Sequence, residues 1–150
     1  MAPLIILLVV FLFAWLIDRF LLKGELGTSL SGRIAMSAML LVTAIAHFTS
    51  TEAMVQMMPD AIPYKRELVW FTGLCELAAV IGLLWNRTIW LASVMLIIFF
   101  VAVLPANIFG SLKAEGVGGT EYGPLYLLFR IPLQIFFIAW VWYFGLKKRD

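Results

Sequence analysis

Cys75 is the only cysteine in this chain and His47 the only histidine. One thiol cannot close an intramolecular disulfide, and a Cys-x-x-Cys redox or zinc site is absent. A lone histidine with one glutamate inside an apolar run is a poor transition-metal set, so no metal site is expected. Cys75 precedes Glu76 by one residue and so faces about 100° away from it on a helix. It reads as a small core residue and a weak candidate nucleophile. Charge is scarce too, at 13% of 150 residues, with a net charge of +2. That small excess reads as membrane orientation and not as nucleic-acid binding. No glycine-rich phosphate loop, P-loop or dinucleotide fingerprint occurs. Internal repeats are also missing, which ranks a small transporter built on inverted halves below the alternatives given later.

What fills the chain is apolar sequence: 63% of it is hydrophobic, with a mean hydropathy of +1.01. The expected class is an all-α, polytopic membrane helical bundle. A helix needs roughly 20 apolar residues to cross the hydrocarbon. Five runs meet or approach this length: Pro3 to Leu22, Ile34 to Thr51, Glu67 to Trp85, Thr88 to Phe109 and Pro124 to Leu146. The first could be taken for a signal peptide. No Lys or Arg precedes it and no Ala-x-Ala-like cleavage site follows, so a retained anchor helix is expected. Asp18, Arg19 and Lys23 then lie at its interface, where long basic side chains can snorkel. Only Asn86-Arg87 separates the third run from the fourth, which predicts an antiparallel hairpin. The stretch from Lys113 to Pro124 carries Gly116, Gly118, Gly119 and Gly123 and reads as a flexible outer loop.

Basic residues orient the runs. Arg19, Lys23, Arg33, Arg87, Lys147, Lys148 and Arg149 fall on one side of a five-span arrangement; Lys65, Arg66 and Lys113 fall on the other. The positive-inside rule puts the C-terminus in the cytoplasm and the N-terminus outside. Trp70, Trp85, Trp90, Tyr126, Trp140, Trp142 and Tyr143 gather toward run ends and read as interfacial anchors.

An ionisable side chain at bilayer depth is costly and marks a site or a buried partner. Four runs supply such polar residues: His47, Glu76, Asn107, Arg130 and Gln134. The run directions place all five between the outer surface and the midplane, with Glu76 roughly 15 Å in from Lys65-Arg66. Arg130 and Gln134 share a face at i, i+4. Thr43, His47, Ser50 and Thr51 form a polar stripe, and Thr72 lies one turn before Glu76. Glu67 points away from Glu76 and is assigned to the helix entrance, where a carboxylate favours the N-terminal dipole. Pro105 and Pro132 deprive the carbonyls of Val101 and Leu128 of their helical donors. Kinks there would open an outward-facing, water-accessible cavity beside Asn107, Arg130 and Gln134.

Each polar residue carries two readings. Glu76 with Arg130 is either a buried ion pair that locks two helices or a site in which Arg130 holds an anion and Glu76 titrates. His47 either bonds Glu76 and packs on Phe48 or relays protons. Asn107 is expected first to cap carbonyls freed by Pro105 and second to contact a ligand, and Gln134 to bond across helices.

At these positions the chain resembles the DoxX-like family of small membrane proteins. The matching text is Ala46-His47-Phe48, Met57-Met58-Pro59 with Ile62-Pro63, Thr72-Gly73-Leu74-Cys75-Glu76, Ile81-Gly82-Leu83-Leu84, Leu104-Pro105-Ala106-Asn107 and Leu128-Phe129-Arg130-Ile131-Pro132-Leu133-Gln134. The resemblance covers roughly Arg33 to Phe144. It implies a four-helix membrane domain over residues 31–150, preceded by an added N-terminal transmembrane helix and cytoplasmic loop over residues 1–30. It also implies His47, Glu76, Asn107, Arg130 and Gln134 as functional positions; Thr43 and Thr72, on the same faces as His47 and Glu76, are secondary candidates. The family takes its name from a membrane subunit associated with thiosulfate:quinone oxidoreduction, which implies an oxidoreductase-associated subunit in a bacterial inner membrane, not catalytic alone. The expectation is a pocket for a quinone-like or lipid-like molecule. In it His47 and Glu76 would exchange protons with the ligand, and Arg130, Asn107 and Gln134 would orient it. The competing expectation is a non-enzymatic scaffold or assembly chaperone, with a membrane protein partner or a second copy of itself.

Overall fold

The computed structural model describes residues 2–113 and 122–147. Most of the expected glycine-rich loop, residues 114–121, lies outside the described residues. The helices are α1 (Ala2–Phe20), α2 (Gly27–Thr49), α3 (Thr51–Gln56), α4 (Lys65–Leu84), α5 (Ile89–Lys113) and α6 (Leu127–Val141). A 3-10 turn, Pro124–Tyr126, leads into α6, and a π-helical segment, Trp142–Lys147, continues it. No strand occurs among the described residues. Five helices are long and apolar enough to cross a membrane: α1, α2, α4, α5 and the continuous 124–147 helix. The chain is therefore an all-helical, membrane-type bundle, and the extra element is α3, too short to span.

α2 is the central helix. It packs most extensively on α4 and α1, and 56% of its apolar window is buried against 11–28% for the other four. Those four turn large apolar side chains outward, among them Leu12, Phe13, Ile81, Leu91, Ile98 and Ile135. Such surface suits lipid, not water. Lipid is as apolar as leucine, so helix association in a bilayer relies on close packing of small residues and on interhelical hydrogen bonds. The first half of α2 supplies both. Ser29, Ser31, Gly32, Ala35 and Ser37 are buried, and a Cβ on Gly32 would stand 2.3 Å from the Phe144 ring. Ser29 Oγ donates to the Phe144 carbonyl at 3.0 Å, and Trp140 Nε1 donates to the Gly32 carbonyl at 3.0 Å. This end of the bundle is tightly closed.

Four expectations are corrected here. α2 begins at Gly27 and not at Ile34, because small polar residues interrupt the apolar run yet pack well between helices. Arg33 is consequently not a loop residue: it is buried in α2 and donates through Nη1 to the Leu83 carbonyl at 3.4 Å, serving an otherwise orphaned carbonyl at the end of α4. Asp18 is not an open side chain at the helix end: it is buried, and its Oδ1 accepts the Leu26 N–H at 2.9 Å just ahead of α2. Trp140 is more than a lipid anchor. Beyond its bond to Gly32, its ring packs on Phe11, Phe136 and Phe144 and joins α1 to the C-terminal helix.

The expected tight hairpin is present between α4 and α5. Thr88 Oγ1 donates toward the carbonyls of Gly82 and Trp85, both at 3.0 Å. A Cβ on Gly82 would come within 2.7 Å of Ala92 Cβ, so the two helices touch at this turn.

Candidate functional site

Away from the closed end the helices separate around a cavity of about 330 Å³. Its walls come from α1, α2, α3, α4, α5 and α6. His47, Glu76, Asn107, Arg130 and Gln134 all line it, as do Thr43 and Thr72. The apolar lining includes Met39, Met54, Met57, Met58, Phe99, Phe100 and Phe137, and the first turn of α1 adds Ala2 and Pro3. Thr51, expected on the same stripe as Thr43 and His47, is not part of the wall. Its hydroxyl bonds the His47 carbonyl at 2.7 Å and accepts Trp70 Nε1 at 3.2 Å. Glu67 stands exposed in the first turn of α4, outside the cavity, as expected.

α2 and α4 meet closely at this level. A Cβ on Gly73 would lie 2.9 Å from His47 Cβ and 3.1 Å from the Phe48 ring. Gly73 is one turn before Glu76, so the close approach brings that carboxylate to the histidine. His47 Nδ1 lies 3.4 Å from Glu76 Oε2 and 2.8 Å from the Thr43 carbonyl. A carbonyl only accepts, so Nδ1 carries the proton and presents its N–H edge to both. Glu76 Oε2 is sealed from solvent and has no hydrogen-bond partner. The residue as a whole is buried, at 6% exposure.

The opposite wall is built by α5 and α6. Arg130 Nη2 donates to Asn107 Oδ1 at 3.0 Å, and Asn107 Nδ2 donates to the Val103 carbonyl at 3.1 Å. Asn107 thus serves the carbonyl one turn behind itself, not that of Val101, which Pro105 deprives of a donor. Gln134 Nε2 bonds the Phe100 carbonyl at 2.7 Å, the interhelical bond expected of it. Both α5 and α6 run through their prolines without a break.

The Glu76–Arg130 ion pair does not form. Glu76 pairs with His47, and Arg130 bonds Asn107. The reason lies in the helix order: α4 packs on α2 and α5, whereas α6 packs chiefly on α5, so the cavity separates the two side chains. Arg130 Nε is a further sealed group without a hydrogen-bond partner. Cys75 is also corrected, since it is only partly buried and not a core residue.

Several residues in or beside the cavity wall carried no clear signal in the sequence. Tyr126, counted among the anchors, is buried and its hydroxyl is a hydrogen-bonding neighbour of Arg130. Its position four residues before Arg130, on the same helix face, was the available clue. Met54, Met57 and Met58 enter through α3 and the turn after it, an element with no apolar run to announce it.

At the mouth of this region Arg66 pairs with Glu52, tying α4 to α3. Lys65 Nζ reaches Asp60 at 3.2 Å and Lys113 Nζ reaches it at 3.5 Å. The hydrogen bond from Lys65 and the charge of Lys113 hold the Asp60 carboxyl below the usual carboxylate range.

No curated protein and no solved structure matches the chain. The family described as "Domain of unknown function (DUF8561)" matches residues 36–145, which takes in every helix of the cavity wall except α1 and the start of α2, and the chain belongs to that family.

Proposed function

We propose that this protein is a membrane-embedded binding subunit that takes one small, partly apolar molecule into the cavity, with a quinone-like or lipid-like head group as the best fit. The observation that supports the reading is convergence. Five polar residues from four separate spans line a single cavity whose other walls are Met and Phe side chains. Apolar walls with a few placed polar groups are the usual make-up of a small-molecule site, and about 330 Å³ lies at the small end of the usual size range. Arg130, Asn107 and Gln134 would hold the ligand's oxygens, while His47 and Glu76 would take or give its protons. A bound quinone would supply two-electron redox chemistry, in keeping with an oxidoreductase-associated subunit and with the resemblance to DoxX-like proteins. Ala2 and Pro3 also line the cavity, which supports a site on the same side of the membrane as the N-terminus. With the excess of basic residues taken as cytoplasmic, that side is periplasmic and the membrane is a bacterial inner membrane.

Native mass spectrometry in mild detergent, with lipid and small-molecule extraction, tests this on wild type and Glu76→Gln. A molecule retained only by the wild type is expected. Empty protein in both cases, with the variant unstable, would overturn the binding reading.

A second reading has its own observation. The Arg130–Asn107 and Gln134–Phe100 bonds stitch α5 to α6, as a scaffold or assembly chaperone would require. Co-purification of a membrane partner with wild type and equally with Arg130→Ala is its expected result.

A further inference from the structure

We infer that the cavity selects a hydroxyl-bearing, reduced aromatic head group, a hydroquinone, over the corresponding quinone; this inference rests on the ligand-pocket reading above. It follows from the donors and acceptors that the protein leaves unspent. The sealed oxygen of Glu76 is faced by His47 Nδ1, at 3.4 Å, whose proton is directed to the Thr43 carbonyl at 2.8 Å. No described residue gives Glu76 Oε2 a hydrogen bond of normal geometry. An ionised carboxylate offers about four lone-pair sites and accepts only. A buried acceptor of this kind is expensive to leave unmatched. Any group that satisfies it must therefore donate an O–H or N–H.

Arg130 imposes the opposite demand. Its guanidinium is donor-only, and Nε remains unpartnered after Nη2 has bonded Asn107. The group facing Arg130 must accept. A hydroquinone meets both conditions, because a hydroxyl donates to the carboxylate and a hydroxyl oxygen accepts from the guanidinium. A quinone meets only the second, and its carbonyl oxygen toward Glu76 would set two acceptors against each other. Sites that hydrogen-bond a ligand hydroxyl reject the analogue without it strongly, because the protein's own buried group is then left unpaired.

The test compares a decyl-benzoquinol, kept reduced under argon, with the matching decyl-benzoquinone. Binding to the purified full chain in nanodiscs is read by isothermal titration calorimetry. Wild type is expected to bind the quinol at least about tenfold more tightly than the quinone. Glu76→Gln, whose amide can donate to a carbonyl, is expected to shrink that ratio toward one, with folding checked by gel filtration. Equal binding of the two forms by wild type, or a preference for the quinone, overturns the selection but leaves the pocket reading standing. Binding of neither form overturns both. The wild-type ratio decides the matter even if Glu76→Gln does not fold.

Discussion

Gly73 offers a sharp test of how the site is assembled. A methyl group placed there would meet His47 Cβ at 2.9 Å and the Phe48 ring at 3.1 Å. The Phe48 ring can swing outward, because the residue is 45% exposed. His47 Cβ cannot, because it is one bond from the α2 backbone. Gly73→Ala should therefore push α2 and α4 apart at the level where His47 faces Glu76. Overpacking of this kind costs about 1–3 kcal/mol. Replacing glycine by alanine within a helix returns about 1 kcal/mol through propensity. The net expectation is a loss of about 1 kcal/mol, which lowers the midpoint of thermal unfolding by about 2–4 °C for a chain of this size. Leu74 is the internal control. It is the next residue on α4 but 57% exposed on the outer face, so Leu74→Ala should change stability by less than about 0.5 kcal/mol. Both variants are compared with wild type by scanning fluorimetry in one detergent. A Gly73→Ala protein as stable as wild type or more so, or a larger loss in Leu74→Ala, would refute the close approach and the argument that Gly73 delivers Glu76 to His47.

Two further outcomes follow from the hydrogen bonds and ion pairs. Gln134→Leu keeps the volume roughly constant but removes the donor to the Phe100 carbonyl; it should cost about 0.6 kcal/mol, the average for interhelical bonds in membranes, and no more than about 1.7 kcal/mol, and the same fluorimetry measures it. Asp60 has a depressed carboxyl, so its clamp on Lys65 and Lys113 is complete above the ordinary carboxylate pKa of about 4 and is lost as the pH falls through the lower folded value. A spin label at Ala61, in a Cys75→Ser background, should gain mobility as the pH drops below about 4, whereas with Asp60→Asn it should already be mobile at neutral pH.

Much of the site was legible in the sequence because the bilayer makes polar residues conspicuous. A buried His, Glu, Asn, Arg or Gln in an apolar run has few harmless explanations, and all five, with Thr43 and Thr72, do line one cavity. The orientation along each helix was likewise readable from i, i+4 spacing, as for Arg130 and Gln134. The partners were not. Glu76 and Arg130 are opposite charges that the run directions put at similar depth, and an ion pair was a natural reading; yet helix order gives each a different neighbour. The roles of Arg33, Asp18 and Trp140 were missed for a related reason. Each looked like an end-of-helix residue by position, and each in fact reaches across to another helix's backbone or to the turn before α2.

The sequence by itself determined the class of the protein and five segments long and apolar enough to cross a membrane, since run length, side-chain polarity and helical rise are properties of each segment alone. Tertiary structure alone decided the rest: which helices are neighbours, where small residues such as Gly32 and Gly73 let them touch, and which carboxylate and guanidinium are left with unspent hydrogen-bonding capacity around the cavity. Those outcomes depend on contacts between segments far apart in the chain. A change in the order of the helices would alter every pairing at the site while leaving each apolar run as it is.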